Sequence, residues 1–122
     1  PLYCTGVGKA ILAPLPPAEV EAVWNGSRPK KLTGRTVADL PHLQAQLEEV
    51  RANGYAIDDE ENELGVRCVA VAIPGADGRA ETAFSISGRA PYMTAERIRR
   101  VADLAMECRT DILADLGVAR RD

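Results

Sequence analysis

The sequence predicts an α+β domain in which an antiparallel sheet is flanked by helices. Residues 65–73 and 79–87 are two apolar segments joined by the turn-forming sequence PGADG, a pattern that predicts a β-hairpin. On both sides of this hairpin, apolar residues recur at helical spacing instead. Helices and strands that occupy separate stretches of a chain are typical of the α+β class.

Composition favours a single soluble globular unit. Hydrophobic residues make up 46% of the 122 residues and charged residues 27%, so we expect residues 1–122 to form one compact domain. The net charge of −3 leaves no excess of basic side chains to neutralise phosphates, and direct binding of nucleic acid is not expected. Three widely spaced cysteines, and no apolar run of membrane-spanning length, favour a reduced, cytoplasmic setting with no membrane partner.

Two short helices are predicted before the first long one. The sequence GVGKAILA, residues 6–13, predicts a helix that stops at the following prolines, because proline cannot continue the hydrogen-bond ladder. Residues 18–24 predict a second short helix. Residues 25–35 contain glycine, proline and four basic side chains but almost nothing apolar, which is typical of an exposed loop. Such a loop is either a mobile lid or a plain connection.

Two longer helices are predicted on either side of the hairpin. The first begins after Asp39 as its N-cap and ends at Gly54, and the second begins after Thr94 as its N-cap and ends near Gly117. The apolar stripe of the first helix is formed by Leu40, Leu43, Leu47 and Val50. The stripe of the second helix is formed by Ile98, Val101, Ala102, Ala105, Cys108, Ile112, Leu113 and Leu116.

The register of the hairpin follows from the length of its turn. If residues 75–78 form the turn, Val69 pairs with Phe84 and Cys68 pairs with Ser85. Because side chains alternate between the two faces of a strand, one face is then bulky and apolar and the other is small and partly polar. The bulky set is Val69, Val71, Ile73, Phe84 and Ile86. The small set is Cys68, Ala70, Ala72, Ser85 and Ser87.

The two faces of the hairpin predict different neighbours. The bulky face suits packing against the C-terminal helix and is expected to be core. Small side chains and hydroxyls cannot fill space at the density of a protein interior. The small face therefore either leaves a concavity for a small polar ligand or admits close approach of the short helix at Gly6. The pattern alone leaves both explanations open.

Five of the six residues from 58 to 63 are acidic and stand directly before the first strand of the hairpin. Asp58 follows the strand-like sequence Tyr55–Ile57, so we expect its side chain to point inward. The other acids, Asp59, Glu60, Glu61 and Glu63, are expected to face solvent. A buried acid requires hydrogen-bonding or cationic partners, for which Arg67 is the nearest candidate and Lys9 a more distant one.

Other candidate sites have weaker support from spacing. The sequence GVGK at residues 6–9 lacks the GxxxxGK spacing of a nucleotide-binding loop, although amides at a helix N-terminus suit a carboxylate. Cys68 acts as a nucleophile only with a base, and nothing ties the single histidine, His42, to the hairpin. Cys68, Asp58 and Cys4 have no metal-binding spacing, so neither a metal nor a cofactor is expected.

Three segments resemble the effector-binding domain of IclR-type transcriptional regulators: CTGVGKAILA, VRANGYAIDDEENELGVRCVA and AFSISG. The likeness runs from about Leu2 to Gly117. It implies a GAF-like fold, with an antiparallel sheet flanked by helices and a small, often carboxylate-bearing effector bound on one face. By position, the resemblance places the ligand contacts at Gly6, Val7, Asp58, Cys68, Ser85 and Ser87.

The same resemblance implies a sensor of small organic acids rather than an enzyme. In this family a winged helix-turn-helix, a linker helix and the opening strands of the effector domain come first, and none of them precedes Pro1. We therefore expect the later part of a sensor, with DNA bound only through a domain absent from this chain. An open sheet edge favours self-association as a dimer or tetramer. The alternatives are a cysteine-dependent enzyme using Cys68 and a pure oligomerisation scaffold.

Overall fold

The structure is a computed structural model that describes residues 1–116, except for the side chain of residue 81. In this part of the chain, four α-helices accompany one three-stranded sheet. The helices are α1 (Gly6–Leu12), α2 (Pro17–Ser27), α3 (Leu40–Asn53) and α4 (Ala95–Leu116). The strands are β1 (Ala56–Asp59), β2 (Val66–Pro74) and β3 (Ala80–Arg89). Among the described residues, no helix is both long enough and apolar enough to cross a membrane.

Local capping explains where three of the helices begin. Thr5, Asp39 and Thr94 each accept, through a side-chain oxygen, a hydrogen bond from the amide three residues later, at 3.0, 2.9 and 3.2 Å. Gly54 ends α3 in the left-handed conformation with φ of 85°, as a C-terminal glycine does. The predicted bounds of α3 are therefore confirmed.

The second helix is longer than predicted, since α2 runs over Pro17–Ser27 rather than residues 18–24. Its last turn contains asparagine, glycine and serine, which are weak helix formers. Trp24 packs edge-on against Tyr3, with ring centroids 5.6 Å apart. This tertiary contact favours the extra turn, and Arg28 ends the helix in the left-handed conformation.

The sheet is antiparallel in the order β1-β2-β3. The predicted register of the hairpin is wrong by two residues, because Val69 pairs with Ile86 rather than Phe84 and Cys68 pairs with Ser87 rather than Ser85. A shift of two residues leaves every side chain on its predicted face, since strand side chains alternate with a period of two.

The turn of the hairpin explains this shift. Pro74 pairs with Ala80, so five residues rather than four lie between the paired ends. Ile73 then pairs with Thr82, which leaves one extra residue of β3 in a bulge. One residue in the turn and one in the bulge together displace the register by two.

Helices cover both faces of the sheet. Val69 on the bulky face is fully buried in a cluster with Met93 and Ala102, which confirms the predicted packing of β2 against α4. Ile86 of the same face is 39% exposed, so the prediction that the whole face is core is wrong at β3. The larger cluster lies on the other face, where α1 and α3 pack against Ala56 and Ala70. The small residues of that face let these helices come close to the sheet.

The helix α4 is buried along a narrower stripe than predicted. Ala105 and Leu113 are buried, whereas Cys108 and Leu116 are exposed. Successive helical residues turn by about 100°, which places Cys108 at the margin of the face that Ala105 and Leu113 define. The predicted end of this helix near Gly117 lies outside the described residues.

Candidate ligand-binding site

The structure brings the predicted site residues together near the N-terminal end of α1. These residues are Gly6, Val7, Asp58, Cys68, Ser85 and Ser87. The first two are in the first turn of α1. Asp58, Cys68 and Ser87 are paired neighbours in one row across the three strands, and Ser85 lies two residues along β3 from Ser87, on the same face. Directly paired residues in an antiparallel sheet share a face, so these four side chains lie on the same side.

The helix α1 lies so close to the sheet that Gly6 has no room for a side chain. A Cβ there would be 2.9 Å from Cys68 Sγ and 3.1 Å from Ala70 Cβ. The backbone of α1 therefore fills this part of the small face. Of the two explanations that the sequence left open, close approach of the helix at Gly6 is the one that holds here. Ser85 and Ser87 are exposed, so the open part of the face lies along β3.

Asp58 is buried, as predicted, but its partners are backbone amides. Its Oδ1 accepts hydrogen bonds from the amides of Glu61 at 2.9 Å and Asn62 at 3.4 Å. Burial raises the pKa of Asp58, while these two amides and the charge of Lys9 lower it in part. The carboxyl group thus caps the loop that joins β1 to β2.

Arg67, the partner predicted for Asp58, binds elsewhere. Its Nε donates to Asp59 Oδ1 at 2.7 Å, and its Nη1 donates to the carbonyl oxygens of Ala90 and Met93. The prediction of an Asp58–Arg67 pair is therefore wrong. Asp59 precedes the turn and pairs directly with Arg67 across β1 and β2, which explains the difference.

The sequence analysis missed a buried ion pair between Lys9 and Glu61. Lys9 is 2% exposed and Glu61 is 5% exposed, so the expectation that Glu61 faces solvent is wrong. Lys9 Nζ lies 2.5 Å from Glu61 Oε2 and also donates to the Ile57 carbonyl oxygen at 3.3 Å. The only sequence signal was a single lysine within the otherwise apolar and small residues of GVGKAILA.

The loop between α2 and α3 explains why Glu61 turns inward. Thr36 Oγ1 donates to the carbonyl oxygen of Glu61 at 2.5 Å, and Thr33 Oγ1 donates to that of Glu60 at 2.6 Å. Arg35 adds an ion pair with Asp59 at 2.9 Å. These contacts hold residues 59–61, at the end of β1 and in the segment before β2, against residues 33–36, in the loop between α2 and α3. Glu61 is thereby brought to Lys9.

Cys68 does not have the environment of a nucleophile. Burial raises the pKa of its thiol, and the negative charge of Asp58 raises it further. Hydrogen bonding with the Gly6 amide, the Asp58 amide and the Ser87 hydroxyl opposes this rise in part. A thiol with a raised pKa stays protonated at neutral pH and reacts slowly.

Neither a histidine nor a metal cluster accompanies Cys68 in the described part of the chain. His42 lies at the start of α3, with its side chain 78% exposed, and pairs with Asp39 at 2.7 Å. Across residues 1–116, no group of three or more His, Cys, Asp and Glu side chains is placed to hold a metal ion.

Two recesses border α1 away from the predicted contacts. One, of about 250 Å³, lies between α3 and β1 and is lined in part by Lys9, Gln46 and Glu61. The other, of about 200 Å³, lies at the C-terminal end of α1 and is lined in part by Arg51 and Arg109. Neither recess is lined by any of the six predicted site residues, whose contact with a ligand stays a prediction.

The chain matches one family of known proteins over most of its length. The family model described as "Bacterial transcriptional regulator IclR C-terminal" matches residues 1–114. The HTH-type transcriptional repressor AllR of Klebsiella pneumoniae is 40% identical over 118 residues, which is 97% of this chain and 43% of AllR. The chain therefore spans less than half the length of this curated relative.

Two solved structures share the fold. The IclR structure of Thermotoga maritima has a TM-score of 0.88 and 38% identity, and the match covers 95% of this chain and 47% of that one. The inducer-binding domain of the transcription factor PobR from Acinetobacter, a double mutant in complex with 3-hydroxybenzoic acid, has a TM-score of 0.80 and 28% identity. That match covers 92% of this chain and 65% of the PobR chain. These neighbours confirm the predicted fold class.

Proposed function

Because this chain belongs to the IclR family of bacterial transcriptional regulators and matches their C-terminal domain, we propose that residues 1–122 sense a small organic acid for the intact regulator. The curated relatives are named as transcriptional repressors, and the family is one of regulators rather than enzymes. The chemistry of this domain is therefore recognition of a ligand. The raised pKa of Cys68 agrees with this function and disfavours the cysteine-dependent enzyme.

The open part of the small face along β3, where Ser85 and Ser87 are exposed beside the covered Cys68, is the observation that carries the proposal. Three adjacent strands place a carboxyl group, a thiol and a hydroxyl on one face, beside the first turn of α1. Ser85 adds a second exposed hydroxyl on the same face. A short polar row next to a helix start is suited to a small ligand with several hydrogen-bonding groups.

A carboxylate ligand fits the donors at this place. The amides of Gly6 and Val7 begin α1, so they have no acceptor within that helix. Together with the hydroxyls of Ser85 and Ser87 they would donate to a carboxylate, while Asp58 accepts from a hydroxyl or a hydrated carbonyl of the ligand. The 3-hydroxybenzoic acid bound by the related PobR domain has both a carboxyl and a hydroxyl group, which supports this chemical class.

Ligand binding would act on transcription through a conformational preference. A ligand that binds one conformation of the domain more tightly shifts the arrangement of subunits in a dimer or tetramer. That shift would change the affinity for operator DNA of a separate DNA-binding domain. We accordingly infer that the intact regulator is cytoplasmic and uses this chain for sensing and self-association, with no direct contact to DNA.

Replacing Ser85 and Ser87 together by Ala tests the ligand contacts. We first identify an effector by screening small carboxylates, 3-hydroxybenzoate among them, for a rise in the melting temperature of the intact protein. The double variant should then bind this effector at least about tenfold more weakly by calorimetry, because two hydrogen bonds to a charged group are lost. Its melting temperature without ligand should change little, since both serines are exposed residues.

The matched control is Thr82→Ala, which removes another exposed hydroxyl of β3 on the opposite face. This variant should bind the effector as the parent does. Equal affinity in the serine double variant and in the parent would rule out the proposed contacts. The absence of any rise in melting temperature with these carboxylates would contradict the proposal and favour the alternative of a pure oligomerisation scaffold.

A further inference from the structure

The second of the two recesses lies at the C-terminal end of α1, whereas Gly6 is at the N-terminal end. It is an open depression bordered by the C-terminal ends of α1 and α3, the turn end of the hairpin, and α4, and its volume is about 200 Å³. We call it the arginine recess, and the residues that define it here are Ala10, Ala13, Ala72, Ala80, Arg51 and Arg109. Its walls are mostly alanine, proline and valine, so a ligand inside would meet an apolar surface with two positive charges.

The two arginines of the recess have no acidic partner among the described side chains, whereas three other arginines do. Arg35, Arg67 and Arg79 each form an ion pair at 2.9 Å or less. Among the described side chains, which leave out that of residue 81, neither Arg51 nor Arg109 has an ion-pair partner, and no acidic residue lines the recess. Its positive charge is thus not neutralised by the described residues.

Most of the hydrogen-bonding capacity of these two guanidinium groups is also unused. Arg51 Nη1 donates to the Ala13 carbonyl oxygen at 2.7 Å. Arg109, which is half-buried, has among the described side chains only a weak contact from its Nη1 to Met106 Sδ at 3.9 Å. A guanidinium group has five N–H donors, so both side chains keep several donors for an anionic ligand.

Gly54 lines the recess at the C-terminal end of α3. A Cβ at this position would lie 2.7 Å from Met106 Cε and 3.9 Å from Arg109 Nη1. The absence of a side chain at residue 54 therefore makes room for the Met106 side chain beside Arg109. The volume of about 200 Å³ is below the roughly 300 Å³ at which pockets for drug-sized ligands begin, so the occupant must be small.

We propose that the arginine recess is a second ligand site, which binds a small monocarboxylate with an apolar body of about the size of benzoate. The carboxylate accepts hydrogen bonds from Arg51 and Arg109, and the apolar body contacts the alanine-rich walls. This site borders the turn end of the same face of the sheet, and neither Ser85 nor Ser87 lines it, so the two proposals can fail independently.

Calorimetry with sodium benzoate tests the site in the intact protein. The titration is done in the Ser85→Ala, Ser87→Ala background, where binding at the β3 face is weakened. Arg109→Gln should weaken benzoate binding by about tenfold or more, because a charge-assisted hydrogen bond is lost. Arg109→Lys should keep part of the affinity, since it retains the charge. Benzamide, which is neutral and of the same shape, should bind far more weakly than benzoate.

Arg100→Gln is the matched control, because Arg100 is an exposed residue of the same helix whose charge faces away from the recess. It should leave benzoate binding unchanged. Equal affinity in Arg109→Gln and in Arg100→Gln, with both variants folded by circular dichroism, would overturn the proposal. So would a failure of benzoate to bind the background protein at millimolar concentration.

The position of the ligand is tested in crystals of the intact protein soaked with 4-bromobenzoate. The anomalous signal of bromine should lie beside Ala72 and Ala80, with the carboxylate towards Arg51 and Arg109. A signal found only near Ser85 and Ser87 would assign benzoate to the first site and overturn the second. A signal in the recess without calorimetric binding in solution would also overturn it.

Discussion

Asp58, Asp59 and Glu61 lie within four residues of each other yet have different partners. Asp58 accepts hydrogen bonds from two backbone amides, Asp59 pairs with Arg67, and Glu61 pairs with the buried Lys9. At the scale of single residues, the chemistry of each acid is set by what the fold places beside it. The same holds for the cysteines, of which Cys4 and Cys68 are buried and Cys108 is exposed.

The cysteines therefore predict a pattern of alkylation. Iodoacetamide at neutral pH should label roughly one thiol per chain, at Cys108, because burial raises the pKa of both Cys4 and Cys68. Mass spectrometry of the native protein counts the labels and locates them. The variant Cys108→Ser should take up almost no label until the protein is unfolded in urea. Rapid labelling of Cys68 in the native protein would contradict its assignment as an unreactive thiol.

At the scale of elements, α1 is held on two sides. Its Gly6 end rests on Cys68 and Ala70 of β2, and its Lys9 side chain reaches the loop after β1. The contact between Lys9 and Glu61 joins segments 52 residues apart in sequence. The helix has only seven residues, so such tertiary contacts rather than its own propensity must stabilise it.

Breaking the buried ion pair from one side should be costly. We expect Lys9→Met to lower the free energy of unfolding by about 3–5 kcal/mol, because Glu61 is then left buried without its cation. Adding Glu61→Gln to Lys9→Met should restore much of this loss, since no uncompensated charge remains. Urea unfolding of the parent, the two single variants and the double variant measures both effects.

The exposed pair of Arg79 and Glu19 provides the comparison for this experiment. Its two atoms are 2.7 Å apart, but both side chains are largely in solvent. Arg79→Met should therefore change the free energy of unfolding far less than Lys9→Met does. Equal losses at the two sites would show that burial does not determine the strength of the Lys9–Glu61 pair.

At the scale of the whole molecule, the sheet has free edges within the described residues. β1 and β3 each pair with β2 alone in residues 1–116. Ile86, which is 39% exposed, lies on β3, and Leu104 on α4 is 57% exposed. Unpaired strand edges and exposed apolar side chains favour association with another copy or another strand.

We expect the intact protein to be a dimer or tetramer by light scattering at micromolar concentration. Ile86→Lys should shift the equilibrium towards smaller species, because a lysine on an edge strand disfavours edge-to-edge pairing. Thr110→Lys adds the same charge to an exposed position of α4 and should have no such effect. A parent protein that is monomeric at every concentration would contradict the predicted self-association.

Elements that depend on neighbouring residues could be predicted from the sequence. Asp39 and Gly54 mark the ends of α3, and Thr94 marks the start of α4, because caps act within one helical turn. The hairpin was recognised, and its two faces were correct. Its register was wrong by two, since the length of the turn and the bulge depend on backbone geometry that composition does not specify.

The sequence alone determined the α+β class, most of the helices, the division of the hairpin into a bulky and a small face, and the resemblance to IclR-type regulators. Only the tertiary structure decided that α1 fills the small face at Cys68, that Glu61 is buried against Lys9, and that Arg51 and Arg109 share a recess. The physical reason is the distance along the sequence over which each interaction acts. Caps and periodicity act between residues a few positions apart, whereas packing and charge pairing join residues that are tens of positions apart in sequence.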